Sequence, residues 1–186
     1  MFSRATIALI AISLLTGITA TSAKEPRVGG DRLVFTLQDL DRNSVSSSDS
    51  IFKGKILFVT IWGTWCPPCV SEIPTFNDLQ DRYGEDGLVI LGIAFEPDTL
   101  EAVRLDRLRE FSSEHKINYM VLDGGAISDF SSSLPMIENV KGLPIEIIID
   151  RSGVVVESRN GYGYKKKWAR KLEKQLKMLL DTDSEK

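Results

Sequence analysis

Apolar residues along the chain come in two arrangements, continuous runs and stripes spaced three or four apart, and together they predict an α/β protein. Residues 33–37 (LVFTL) are apolar and β-branched and predict a strand, and the polar segment 39–50 after it predicts a turn or hairpin. Residues 55–62 and 88–95 are almost unbroken apolar runs, as expected of strands covered on both faces. Between them Val70, Ile73, Phe76, Leu79 and Tyr83 mark an amphipathic helix. Strand, helix and strand then form a right-handed parallel unit.

Leu100, Val103, Leu108 and Phe111 predict a second helix over 99–116, followed by a short strand at 119–122. Gly124-Gly125, Ser131-Ser132-Ser133 and Pro135 interrupt the segment 123–140, which reads as a short helix within a long loop. Two strands at 145–150 and 154–158 are joined by the turn Asp150-Arg151-Ser152-Gly153. A last helix over 165–180 places Trp168, Leu172, Leu176 and Leu179 on one stripe; its basic residues, Lys165 to Lys167, Arg170, Lys171, Lys174 and Lys177, suit a solvated surface better than a docking face. The expected architecture is a central mixed β-sheet flanked by helices, with an N-terminal β-hairpin extension.

Composition adds limits. With 186 residues, 42% hydrophobic and 26% charged, the chain is one globular domain. A formal charge of -3 gives no general attraction to nucleic acid or anionic lipid. The N-terminus changes the picture more. A basic start through Arg4, an apolar run at 5–18 and the small residues Thr21-Ser22-Ala23 have the form of a secretory signal peptide over 1–23. The alternative is a short uncleaved membrane anchor. Residues 24–31 then form a linker, 32–181 the domain and 182–186 a mobile tail. On either reading the folded part is extracytoplasmic, periplasmic or secreted, where thiols meet an oxidising environment.

Against that location stand only two cysteines, Cys66 and Cys69, inside WGTWCPPC (62–69) at the junction of a strand and a helix. A disulfide between them would close too small a loop to stabilise much. Reversible opening and closing is the better use of the pair. The unpaired N–H groups and positive end of the helix favour a thiolate, so Cys66, the first and expectedly more exposed sulfur, is the nucleophile, and Cys69 resolves the mixed disulfide. Pro67-Pro68 fits the first helical turn, where a missing N–H costs nothing. Trp65 is expected to flank the nucleophile and Trp62 to pack in the core. Structural zinc would need four ligands, and one cysteine pair with the single His115 does not supply them; no metal is expected.

WCPPC on a strand-to-helix turn, FTLQDLDRNSV before it, WGTWCPPCVSEIP and GLPIEIIID (142–150) occur in an order that resembles the thioredoxin superfamily, and within it the exported TlpA/ResA-like thiol:disulfide oxidoreductases. The resemblance spans about 33–161. It implies a thioredoxin-like fold with Cys66 attacking, Cys69 resolving, no cofactor, and Pro144 as a cis-proline facing the pair. Substrate would meet Trp65, Pro67, Leu143 and Pro144, with the backbone at Leu143 accepting an added strand. Pro74 matches a proline within the helix of many relatives. Thioredoxins carry a buried aspartate where Thr60 stands. Glu96 matches an acid of the ResA-like branch and is the candidate for proton transfer, against a plain strand-end charge; Glu146 is a second candidate.

The partners implied are exported thiol or disulfide proteins and a membrane electron donor, with the chain a monomer and the reaction a reduction. A disulfide-donating oxidase is the alternative. A peroxiredoxin-like peroxidase would carry threonine where Gly63 stands, and a redox-inert binding module would not need an intact CPPC.

Overall fold

Strands β4 (Ile56–Trp62) and β5 (Leu88–Glu96) are apolar almost throughout because each lies between two neighbours in the sheet and is covered on both faces. The computed structural model describes residues 25–161 and 166–182; the segment read as a signal peptide and most of the tail lie outside the described residues. The other elements are β1 (Arg27–Val28), β2 (Thr36–Asp39), β3 (Ser44–Ser46), α1 (Pro67–Tyr83), α2 (Glu101–Glu114), β6 (Met120–Ala126), α3 (Phe130–Ser133), β7 (Ile137–Glu138), β8 (Ile145–Ile149), β9 (Val155–Asn160) and α4 (Lys166–Asp181).

A seven-stranded sheet runs β3-β2-β6-β5-β4-β8-β9. Strands β4, β5 and β6 are mutually parallel, while β8 and β2 lie antiparallel to their neighbours β4 and β6. The crossovers β4-α1-β5 and β5-α2-β6 step across the sheet in one direction, and right-handed crossovers of that kind place α1 and α2 on one face. Residues from α1, α2 and α4 accordingly share a core with Phe58, Trp62 and Ile148. Phe76 of α1 packs against Phe58 at 5.0 Å and against Trp168 of α4 at 6.0 Å between ring centroids. Burying an aromatic of this size stabilises by about 2–3 kcal/mol, and Phe76→Ala is expected to cost about 3–5 kcal/mol once the cavity is included.

The opposite face is covered by Leu33, Phe35, Phe52, Phe130, Leu134 and the two-stranded β1-β7 sheet. Here three sequence expectations shift. The first strand occupies Thr36–Asp39 rather than 33–37: Leu33 and Phe35 are buried, but as coil packed on the sheet. Residues 24–31, expected to be a linker, contain β1, whose Val28 is buried and pairs with Ile137. Strand β6 continues through Asp123-Gly124-Gly125 to Ala126, by way of an irregularity opposite Ala94 and Phe95. The continuation holds because Arg104 of α2 pairs with the buried Asp123 at 3.0 Å, and a Cβ on Gly124 would overlap the Phe95 ring at 2.7 Å. Among the described residues no helix is long and apolar enough to cross a membrane.

Candidate active site

The C-terminal end of β4 delivers the chain to Cys66, the N-cap residue of α1, with Pro67 and Pro68 as its first helical residues. Neither proline could donate within the helix at those positions, so the sequence CPPC starts α1 without losing a hydrogen bond. One turn of helix brings the two cysteines to a Cα–Cα distance of 5.3 Å, and they are joined as a disulfide. α1 then runs on through Pro74.

Cys66 is the more exposed of the two sulfurs, though both are buried. In this oxidised form it shows 4% of its surface against 2% for Cys69. Exposure at the site belongs instead to its flanks, the prolines and Trp65, which is 45% exposed. Trp65 is nevertheless held, since its Nε1 donates to the Phe95 carbonyl at 2.8 Å. Trp62 is core, packed against Phe111 at 5.6 Å between centroids.

The second part of the site comes from β8. Ile145 pairs with Ile61, so Pro144 lies level with Trp62 at the end of β4 from which the cysteine loop departs. The Leu143–Pro144 peptide is cis, Pro144 is buried, and Leu143 is half-buried against the core that holds both cysteines.

Three wholly buried carboxylates surround this end of the sheet, and they differ in what holds them. Glu96 ends β5; its Oε1 accepts the Thr64 N–H at 2.8 Å and its Oε2 the Thr64 hydroxyl at 2.7 Å, with Arg107 at 3.6 Å. Glu146 on β8 accepts from Arg159 Nε at 2.7 Å and Trp168 Nε1 at 3.2 Å, both on Oε2, and its Oε1 has no hydrogen-bond partner. Burial pushes the Glu146 carboxyl above its usual range, against the opposing pull of Arg159 and of the hydrogen bonds from Arg159 and Trp168.

Glu72 was not singled out in the sequence, yet it is wholly buried on the inner face of α1, one turn beyond Cys69. Burial, reinforced by the Glu72 charge, pushes the Tyr119 phenol well above its ordinary value. A Cβ built on Gly161 would meet Pro144 Cγ at 2.5 Å, Glu72 Oε1 at 2.9 Å and Glu146 Oε1 at 3.1 Å. Gly161 therefore marks the point where the proline and two carboxylates converge. A signal was present: the buried stripe of α1 counted from Cys69 rather than Val70 has a glutamate inside it.

His115, at the C-cap of α2, stacks on Phe111 at 4.0 Å between ring centroids and takes no part in the site. The arrangement supplies a dithiol/disulfide at a helix N-terminus, a partly exposed indole beside it, a proline-led strand opposite, and buried acids behind.

Comparison with known proteins agrees with this chemistry. The Redoxin family matches residues 27–176. Thiol-disulfide oxidoreductase ResA of Bacillus cereus (strain ZK / E33L) is 31% identical over 151 residues, covering 80% of this chain and 78% of that protein. Thiol:disulfide interchange protein DsbE of Pseudomonas aeruginosa is 27% identical over 175 residues, covering 93% and 89%. A solved structure of a thiol:disulfide interchange protein of the thioredoxin family from Chlorobium tepidum superposes with a TM-score of 0.63 at 26% identity, covering 83% of this chain and 97% of that one. With the cysteine pair at the start of α1 and the thioredoxin-like sheet around it, the chain belongs to the Redoxin family and is a thiol:disulfide oxidoreductase of the TlpA/ResA-like branch.

Proposed function

We propose that this protein reduces disulfides in exported proteins, outside the cytoplasm, and is itself re-reduced by a membrane electron donor. The basic start, apolar run and small residues of the first 23 positions support that location, whether the segment is removed or kept as an anchor. The Cys66 thiolate attacks one sulfur of a substrate disulfide, forming a mixed disulfide and releasing the first substrate thiolate. The Cys69 thiolate then attacks Cys66 Sγ, which frees the second substrate sulfur and restores the Cys66–Cys69 bond. Two electrons pass to the substrate, and the two protons lost by the protein thiols balance those gained by the product thiols. Trp65, Pro67, Leu143 and Pro144 are the surfaces the substrate meets, with its backbone added alongside Leu143.

The direction of transfer is argued from one observation, the buried carboxylates Glu72, Glu96 and Glu146 at the end of the sheet that carries the cysteine loop. Arg107 and Arg159 lie beside Glu96 and Glu146. A carboxylate disfavours a nearby thiolate, whereas the α1 N-terminus favours one with only about half a positive charge. The dithiol form gains little by ionising, and the disulfide is relatively favoured, which is the condition for a reductant. Equilibrating the protein in defined thiol buffers tests this. A potential near or below about -270 mV supports a reductant, and one near about -120 mV would make the protein a disulfide donor. Absence of any reversible transition would remove the exchange reading.

A further inference from the structure

We propose that Glu96 is a positioning residue, the centre of a latch with Thr64 and Arg107 that fixes where Cys66 sits for attack. The inference rests on the exchange reading above. Glu96 is the last residue of β5, and both its oxygens are committed to a single residue of the cysteine loop: Oε1 to the Thr64 N–H at 2.8 Å, Oε2 to the Thr64 hydroxyl at 2.7 Å. One position along, Trp65 Nε1 donates to the Phe95 carbonyl at 2.8 Å. Two consecutive loop residues are thus docked by three hydrogen bonds onto two consecutive residues of a central strand. Two of the three end on a carboxylate, the stronger kind.

The neighbours show that this docking is close. A Cβ on Gly63 would meet the Phe95 carbonyl oxygen at 2.6 Å and would also strike Trp65 Nε1, so only glycine lets the loop lie against β5 here. The Cys66 N–H then donates to the Gly63 carbonyl at 3.1 Å, which links the docked loop directly to the nucleophile. On the far side Arg107 of α2 lies 3.6 Å from Glu96 and 2.8 Å from Asp98, and closes the carboxylate in place. Glu96 is therefore suited to hold the loop rather than to carry protons from Cys69. Attack on a disulfide needs the three sulfurs in line, and small misplacements of a reacting group cost large factors in rate. The latch converts the rigidity of β5 into a fixed Cys66 and a fixed Trp65.

The test measures the rate of the reduced full-length protein with a small aromatic disulfide across pH, alongside the Cys66 thiolate titration followed by ultraviolet absorbance. Thr64→Val removes only the hydroxyl bond and is expected to lower the limiting rate by about tenfold while leaving the titration midpoint in place. Thr64→Ser restores the hydroxyl and the rate. Arg107→Gln, on a side chain 41% exposed, leaves the fold intact and is expected to cost about threefold. Wild-type rates in Thr64→Val or Arg107→Gln would overturn the latch. So would a Glu96→Gln variant whose limiting rate is intact but whose pH profile is shifted, since that is the mark of a proton-transfer group. An inert wild-type protein would overturn the exchange reading itself, and the latch with it.

Discussion

Glu146 of β8 stands directly opposite Thr60 of β4 in the antiparallel register, on the face of the sheet that carries α1 and both cysteines. Thr60 is the position at which thioredoxins carry a buried aspartate. The buried acid here is one strand over, clamped by Arg159 and Trp168.

That clamp predicts a pH-dependent stability. Burial raises the Glu146 carboxyl above its ordinary range, so the folded state holds this proton more tightly than the unfolded chain does. Its contribution is favourable below the unfolded value and is lost as pH rises through the folded value. Arg159→Met removes the main counterweight to burial and is expected to cost about 3 kcal/mol at neutral pH. The deficit should shrink as pH falls through the raised value, where Glu146 takes up its proton. Glu157 also loses Arg159, but Gln175 still holds it. Denaturant titrations across pH check this; a deficit that stays constant would mean that Glu146 is protonated throughout.

The order of the two sulfurs predicts what can be trapped. Cys69→Ser leaves Cys66 to attack without resolution, so a disulfide-bonded substrate should accumulate as a mixed disulfide visible by mass. Cys66→Ser should form none, since Cys66 is the N-cap residue while Cys69 lies inside the first turn of α1. Both variants should lose turnover by at least about 100-fold. Equal trapping by the two would reverse the assignment.

Strands β4 and β5 and the helices α1, α2 and α4 were legible in the sequence because burial on one or both faces leaves a period. What the pattern reports is burial, not pairing, and residues 33–37 show the difference: Leu33 and Phe35 are buried, yet the hydrogen-bonded strand begins at Thr36. β1 is two residues long, too short for any period, and its partner Ile137–Glu138 is distant in sequence. Gly124-Gly125 read as a break, whereas the missing side chain at Gly124 is what lets the Phe95 ring lie against β6. At the site, CPPC announced the cysteines, but the convergence of Glu72, Glu146 and Pro144 at Gly161 joins three chain segments and left no mark in any one of them.

Gly161 should therefore tolerate no side chain. Gly161→Ala would place a methyl 2.5 Å from Pro144 Cγ and 2.9 Å from Glu72 Oε1, with no flexible chain end free to give way on the proline side. Overpacking of this kind costs about 1–3 kcal/mol. Since the displaced groups line the redox end of the molecule, the variant should also shift the reduction potential. Thermal unfolding of the oxidised and reduced forms reads both effects; a variant with wild-type stability in both would show that Gly161 is not packed as described.

Glu72 offers the sharpest test of why this pair should be reducing. It lies one helical turn beyond Cys69 and faces inward with no exposed surface, so little water screens its charge from the sulfur. Its reach is visible at Tyr119, whose phenol it helps to push up. Glu72→Gln keeps the shape and removes the charge. Thiolate formation at Cys69 should become easier, the dithiol form should gain stability, and the potential should rise. For a two-electron couple about 30 mV corresponds to about 1.4 kcal/mol, roughly one pKa unit of relief on a single thiol. A rise of about 15–45 mV is the expected range. The control is Glu173→Gln, on the outer side of α4 against Arg82 and Tyr83, which should leave the potential unchanged. A fall, or no change with the fold intact, would mean that the α1 N-terminus rather than the acids dominates the thiols, and the reductant assignment would lose its physical basis.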